Sequence, residues 1–345
     1  MATLKYIEIN GTAHEVGVAL GRFGHDAVHN HLLDSDAWKG VMQWRHTLQA
    51  KRMQSLVQQN YPRVWQELLG LAQGLGLPFD DVFLWNCRGD LWAMAPDGCT
   101  TVQLPHENVP RITHNEDGDP GFAGSCGLAY ICSSEGASFI SFLYPGSIPG
   151  HTIAVNEYGL AMTVNNVRAL GVEAGVPRMV LTRQILEESS LESAVAVLQE
   201  AKRSGAFHLS LGMQGSTTLL SVEFSQFYVS ALKTRQALLH ANHAVHDASK
   251  GFEQRVTASS EHRQKVGTAL LSQQLATGSV NPLTILADNS VEQFPIFRKA
   301  ADDSDDENTL ATADIRLEGS QVLWEIYTHP LEAPVYRFRN LERLE

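Results

Sequence analysis

Apolar residues recur along this chain with two different periods, and the change from one to the other falls close to residue 99. Tyr6-Ile7-Glu8-Ile9 alternates as a short strand does, and Gly11-Thr12-Ala13-His14-Glu15 follows as a turn with the Thr-x-x-Glu spacing of a capping box. A helix should therefore begin at Thr12. Val16, Ala19, Leu20 and Phe23 supply its apolar stripe, and Gly17 and Gly21 on the same face predict close packing against another element. Trp38, Val41, Trp44, Leu48, Leu56 and Val57 predict a second, long helix. Pro62 fits the first turn of a third, with Val64, Leu68, Leu71 and Ala72 inward and Gly74 or Gly76 closing it. The segment before Cys99 thus reads as mainly helical.

Beyond it the period drops to two. Strands are predicted at 100–104, 111–114, 127–132, 138–143, 151–155 and 160–164, followed by helices at 178–188 and 191–201. Further strands fall at 207–213, 217–224, 226–232 and 236–241, helices at 253–273 and 281–288, and final strands at 309–315, 321–327 and 334–338. Many antiparallel strands, with helices grouped between strand runs, imply an α+β fold and not a parallel doubly wound sheet. The acidic run Asp302-Asp303-Ser304-Asp305-Asp306-Glu307 reads as a solvated loop.

Composition narrows the partners. With 345 residues, 43% of them hydrophobic, the chain can bury a large core as one domain or two closely packed ones. A net charge of −12, from 38 acidic and 26 basic residues, argues against nucleic acid or an anionic membrane and for a small-molecule partner. Cys87, Cys99, Cys126 and Cys132 show neither a CxxC pair nor metal-ligand spacing, so they are expected to be reduced. The chain has no leader-like start and no apolar run of bilayer length, and a cytoplasmic location is expected.

The chemistry concentrates at Pro96-Asp97-Gly98-Cys99-Thr100-Thr101, where a nucleophile follows glycine at the mouth of a predicted strand. Glycine at 98 lets the backbone bend so that the Cys99 thiol reaches the Gly98 carbonyl. Cleavage there would leave Cys99 as a new N-terminus, whose α-amine, of reference pKa roughly 7.7–8.0, can act as base for its own thiol. The alternative is that Cys99 is simply a small buried hydrophobe. His240, His243 and His246 stand at spacings of three, but the surrounding pattern is strand and loop, so a zinc site is not expected there. No metal and no permanently bound organic cofactor is expected.

In order along the chain stand Gly11-Thr12-x-x-Glu15-x-Gly17, Asn86-x-Arg88, Asp97-Gly98-Cys99-Thr100-Thr101, Asn115-x-Asp117 and Asn156-x-x-Gly159-Leu160-Ala161. Gly175-Val176-Pro177, Val222-Glu223-Phe224-Ser225, Ala241-Asn242-His243 and Arg263 continue the series. Together they resemble the acyl-coenzyme A:6-aminopenicillanic acid acyltransferase (isopenicillin N acyltransferase) family of self-processing N-terminal-nucleophile hydrolases, over almost the full length. The resemblance implies a four-layer αββα sandwich, cleavage between Gly98 and Cys99, and a mature enzyme of two associated pieces, residues 1–98 and 99–345. It implies Cys99 as the nucleophile that carries a thioester, Asp117 as the group serving the new α-amine, and Asn242 as donor to the oxyanion. Tyr144, Asn165 and Arg298 would line or support the substrate cleft, and the substrate would be a small-molecule amide or an acyl-CoA. One position departs: where the family carries a Ser-Arg pair upstream of the late Thr-Leu strand, this chain has Asp305-Asp306. That speaks against a penicillin substrate and favours a cationic amine. Hydrolysis of an N-acyl amide, including release of β-alanine from amine conjugates as in some relatives, and acyl transfer both stay open. The competing class is an unprocessed binding protein of the same fold. The C-terminal residues lack a peroxisomal tripeptide.

Overall fold

The computed structural model describes residues 4–94, 98–105, 109–300 and 305–345; Pro96, Asp97, Asp302, Asp303 and Ser304 lie outside them. Thr12 does what its spacing predicts. Its Oγ1 accepts from the Glu15 N–H while the Glu15 carboxylate accepts from the Thr12 N–H, so helix α1 (Ala13–Asn30) starts directly after strand β1 (Lys5–Gly11). The expected single long helix is two, α2 (Asp36–Met42) and α3 (Leu48–Asn60), interrupted at His46, whose φ of 63° belongs to the left-handed region. Helix α4 (Pro62–Leu75) opens on its proline and closes on Gly76 at φ 66°. Gly17 and Gly21 meet the α4 backbone so closely that a Cβ on either would overlap it, and Gly70 and Gly74 return the approach to α1. Two short helices, α5 (Phe79–Trp85) and α6 (Arg88–Leu91), escape the periodicity because they are too short for it to repeat.

The strand-rich part begins with β2 (Gly98–Leu104), β3 (Arg111–Gly118), β4 (Gly127–Ser133), β5 (Phe139–Leu143), β6 (Ile153–Asn156) and β7 (Leu160–Val167). Helices α7 (Arg178–Ile185) and α8 (Leu191–Glu200) separate these from β8 (Ala206–Met213), β9 (Leu219–Phe224), β10 (Val229–Lys233) and β11 (Leu238–His240). Helices α9 (Ala258–Thr277) and α10 (Pro282–Leu286) come next, then β12 (Asn308–Glu318), β13 (Gln321–Tyr327), β14 (Tyr336–Arg339) and β15 (Glu342–Leu344). The fold is mixed α+β with two sheets: eight strands in the order β1-β4-β5-β6-β7-β8-β9-β10 and seven in the order β11-β2-β3-β12-β13-β14-β15. Only the β1–β4 pairing is parallel among the described strands; it draws the N-terminal segment into the first sheet. No helix among the described residues is long and apolar enough to cross a membrane.

Two packing zones hold β2 in place. On the side facing the first sheet, β2 meets β7 and β8 through buried polar contacts, Thr101 to Asn165 and Gln103 to Ser210. On the other side Val102, Leu239, Leu271, Ile285, Leu286 and Ile296 form a separate buried cluster beneath α9 and α10. Each such side chain contributes about 1.5–3 kcal/mol by leaving water, so β2 is fixed from both faces.

The acidic run corrects the expectation of a solvated loop. Asp306 is exposed, but Asp305 and Glu307 are buried, because arginines distant in sequence await them: Arg168 bonds the Glu307 carboxylate, and Arg298 bonds the Glu307 carbonyl. Strand β3, expected to end at residue 114, runs on to Gly118 and carries Asp117 within it.

Candidate active site

The register of β2 against β3 builds the site. Gly98 lies opposite Asp117, Cys99 opposite Glu116, Thr100 opposite Asn115 and Thr101 opposite His114. Directly opposed residues share a face of the sheet and successive ones alternate. Cys99, Thr101, His114 and Glu116 therefore face one way, while Gly98, Thr100, Asn115 and Asp117 face the other.

On the thiol face, Cys99 Sγ lies 3.6 Å from Glu116 Oε2, whose other oxygen accepts from the Tyr144 hydroxyl at 2.9 Å. His114 Nε2 is 3.1 Å from the same Glu116 oxygen, and its Nδ1 is 2.7 Å from Thr101 Oγ1. Counting hydrogens fixes their roles. Thr101 donates its only hydroxyl proton to Asn165 Oδ1 at 2.7 Å, so His114 Nδ1–H must donate to Thr101. A neutral His114 then has a bare Nε2 and needs a proton from Glu116 across the 3.1 Å contact. Burial, which lowers the His114 pKa to about 3, makes the neutral ring the stable form. Glu116 and His114 thus share one proton across this contact, with the thiol beside them. Thiol to carboxyl to imidazole is then a continuous path for one proton.

On the opposite face lies a charged cluster. Arg263 of α9 donates to the Cys99 carbonyl at 2.6 Å, to Thr100 Oγ1 at 2.8 Å and to Asn242 Oδ1 at 2.7 Å. Asn242 Oδ1 also accepts the Cys99 N–H at 3.0 Å, and its Nδ2 donates to the Asn166 carbonyl at 3.1 Å. Two donors converging on one atom identify it as the amide oxygen. Asp117 Oδ1 accepts from Thr309 Oγ1 at 2.6 Å, beside an irregularity in the β12–β3 register between Thr309 and Ala311. Arg298 and Arg263 share Ser259 Oγ, and Thr257, the cap of α9, donates to Asp305 at 2.8 Å. Glu307 completes the cluster: Oε1 accepts from Arg168 at 3.1 Å, and Oε2 abuts Gly98 so closely that a Cβ there would overlap it.

The expected residues are thus distributed over both faces. Cys99, Asp117 and Asn242 converge on the Gly98–Cys99 peptide. Tyr144 and Asn165 belong to the buried network of the thiol face, and Arg298 is buried on the other, so the polar contacts of all three are internal. An open cavity of about 290 Å³ adjoins the site through Thr309, with Phe122, Phe297, Lys299, His329 and Glu332 among its walls. His240, His243 and His246 point to separate partners: Glu223, Ser260, and the Ser221 and Ser230 hydroxyls. A different trio, Cys99, His114 and Glu116, offers ligand atoms within 4.8 Å of one another, but the two carboxylate oxygens already engage His114 and Tyr144. All four cysteines are free. Sequence reasoning missed His114, Glu116, Arg168 and Glu307. The first two were legible: continuing the alternation of β3 through His114-Asn115-Glu116-Asp117 would have set Glu116 beside the cysteine.

Comparison with known proteins gives the chain its relatives. A beta-alanyl-dopamine/carcinine hydrolase of Drosophila melanogaster is 27% identical over 222 residues, 55% of this chain and 56% of that protein. The 40 kDa form of an acyl-coenzyme A:6-aminopenicillanic-acid-acyltransferase of Emericella nidulans is 24% identical over 207 residues, 56% of each. The chain therefore spans about half the length of the curated relatives it matches. The family described as acyl-coenzyme A:6-aminopenicillanic acid acyl-transferase matches residues 105–326, a stretch that begins after Cys99 and holds Glu116, Asp117, Asn242 and Arg263. That match covers more than half of the chain, and the chain belongs to this family.

Proposed function

We propose that the chain is a self-processing N-terminal-cysteine amidohydrolase or acyltransferase of αββα architecture, acting on a small-molecule amide or acyl-CoA. The observation that carries this reading is the setting of one residue: the Cys99 nitrogen held by Asn242, the Cys99 carbonyl held by Arg263, and the thiol against Glu116. In self-cleavage the thiol gives its proton to the Glu116–His114 pair, and sulfur attacks the Gly98 carbonyl carbon. The carbon–nitrogen bond breaks, the Cys99 nitrogen gains a proton, and water hydrolyses the resulting thioester to a Gly98 carboxylate and a free thiol.

The mature site then works on substrate. The α-amine of Cys99, served by Asp117, takes the thiol proton; sulfur attacks the substrate carbonyl; Asn242, released from the Cys99 amide, turns its Nδ2 to the oxyanion. The amine leaves, and water or a second amine receives the acyl group. Support for an amide as substrate comes from the relatives' printed activities, β-alanyl-amine hydrolysis and acyl transfer. The polar side chains Lys299, His329 and Glu332 in the adjoining cavity suit a polar acyl or amine group. Processing would leave residues 1–98 as a partner held by the β1–β4 ladder and the Glu67–Arg183 ion pair, in a cytoplasmic enzyme.

Intact mass and N-terminal sequencing test the reading. The wild-type chain should yield residues 1–98 and 99–345 with Cys at the new N-terminus, while Cys99→Ala should stay whole. An unbroken wild-type chain after prolonged incubation would leave the binding-protein alternative. A screen of the processed protein against acyl-CoA esters and N-acyl amines then separates transfer from hydrolysis.

A further inference from the structure

We propose that Glu307 is the acid that supplies the proton to the Cys99 nitrogen when the Gly98–Cys99 peptide breaks. The assignment rests on the self-processing reading above and adds a residue to it. Breaking an amide requires a proton on the departing nitrogen, because an amide anion is too basic to leave. The thiol proton goes to Glu116 and His114 on the opposite face of β2, so a second group must supply this one from the Gly98 side.

Glu307 meets the geometric conditions. Its side chain is fully buried at the mouth of β12, and its Oε2 lies against Gly98 Cα, one bond from the carbonyl carbon under attack. Its Oε1 is anchored by Arg168, which fixes the carboxyl, while Oε2 has no hydrogen-bond partner among the described residues. A buried oxygen without a partner costs stability, and a carboxyl meets that cost best by holding a proton. Five charged groups act on it: Arg168 from the segment after β7, Arg298 from the segment before β12, Asp305 beside it, Asp117 on β3 and Arg263 on α9. The arginines favour ionisation and the two aspartates oppose it. Burial outweighs both and raises the Glu307 pKa to about 8. The carboxyl is therefore protonated at neutral pH. The same packing explains glycine at 98, since any side chain would displace the acid.

The protons balance. Glu307 gives its proton to the Cys99 nitrogen, completing the amine; the water that opens the thioester returns one to Glu307; the proton stored on Glu116 and His114 returns to sulfur. The net change is addition of one water across one peptide bond.

The test follows the full-length chain made by cell-free translation, with cleavage timed by intact mass between pH 6 and 10. Wild type should slow roughly tenfold per pH unit above pH 8, as the acid is lost. Glu307→Gln, which keeps an oxygen for Arg168 but carries no acidic proton, should cleave about a hundredfold more slowly and lack the alkaline fall. To separate chemistry from folding, the intact Cys99→Ala chain should show a protonated-carboxyl infrared band that titrates near pH 8 and is missing from Cys99→Ala/Glu307→Gln. Cleavage of Glu307→Gln within threefold of wild type with the alkaline fall retained, or absence of that band, overturns the assignment while leaving self-processing intact. A wild-type chain that never cleaves removes self-processing itself.

Discussion

Replacing Glu116 by Gln is the sharpest perturbation of the thiol face, because it changes the proton inventory and almost nothing else. The Gln carbonyl still accepts from Tyr144, and its NH2 donates to the bare Nε2 of neutral His114, so each buried hydrogen bond of the acid has a counterpart. Stability should change by about 1 kcal/mol or less. What disappears is an acceptor for the thiol proton. A positioned acid or base contributes 10²–10⁴-fold, and at 1.36 kcal/mol per tenfold that is roughly 2.7–5.4 kcal/mol of barrier. The 3.6 Å separation of Sγ from Oε2 is long for a working hydrogen bond and places the effect toward the lower end. The first-order rate of appearance of residues 99–345 should fall by two to three orders of magnitude, with the melting temperature held within about 3 °C. Alkylation of Cys99 in the precursor should slow in parallel, since thiolate formation is shared by both reactions. Cleavage within threefold of wild type, with folding intact, would refute the proton path through Glu116 and leave the thiol to ionise into water.

The other perturbations probe the opposite face, the acidic run and the contact between the pieces. Asn242→Ala, assayed in already processed protein, should lose roughly two to three orders of magnitude in kcat with little change in KM; near-normal turnover would remove Asn242 from the oxyanion site. Asp306→Asn should alter kcat/KM for a cationic N-acyl amine less than threefold and mute its salt dependence, because Asp306 is exposed and screened; a large change in selectivity would restore the loop to recognition. Arg183→Met strands the buried Glu67 carboxylate that Arg183 binds at 2.9 Å, and should cost about 3–5 kcal/mol by denaturant titration. Burial already raises the Glu67 pKa above 4.5, so folding takes up a proton there. The variant's stability should accordingly fall as pH rises from 4.5 and be partly regained on acidification; a pH-independent deficit would mean Glu67 finds another partner.

Much of the fold was legible because it depends on local chemistry. The capping box at Thr12, the proline opening and glycine closing of α4, the apolar runs of β4 and β5 and the alternation of β13 each follow from residues within a few positions of one another. The glycines of α1 announced close packing without naming α4 as the partner. Asp305-Asp306-Glu307 read as solvent-facing because consecutive polar residues usually are. The burial of Asp305 and Glu307 depends on Arg168, Arg263 and Arg298, whose approach is a matter of tertiary structure. Gly98 and the strand after it singled out Cys99, but its expected role and that of Asn242 came through the resemblance.

The two faces of β2 explain why one strand can carry both cleavage and later catalysis. A proton acceptor and a proton donor set side by side would simply exchange their proton. The pleat places Glu116 with the thiol and Glu307 with Gly98, so the two carboxyls are kept apart by the backbone they act on. Cutting at Gly98 then removes little of what holds Cys99, because β2 is bonded to β11 and β3 from Cys99 onward and its carbonyl is fixed by Arg263. The N-terminal piece keeps its own anchors, the parallel β1–β4 ladder, the Glu67–Arg183 ion pair and the Tyr336 hydroxyl on the Leu4 carbonyl. A severed peptide should thus change the charge at Cys99 while leaving its position nearly untouched. On the proposed mechanism, that separation of charge from geometry would allow a precursor held by Asn242 Oδ1 to become a site in which the same amide turns to an oxyanion.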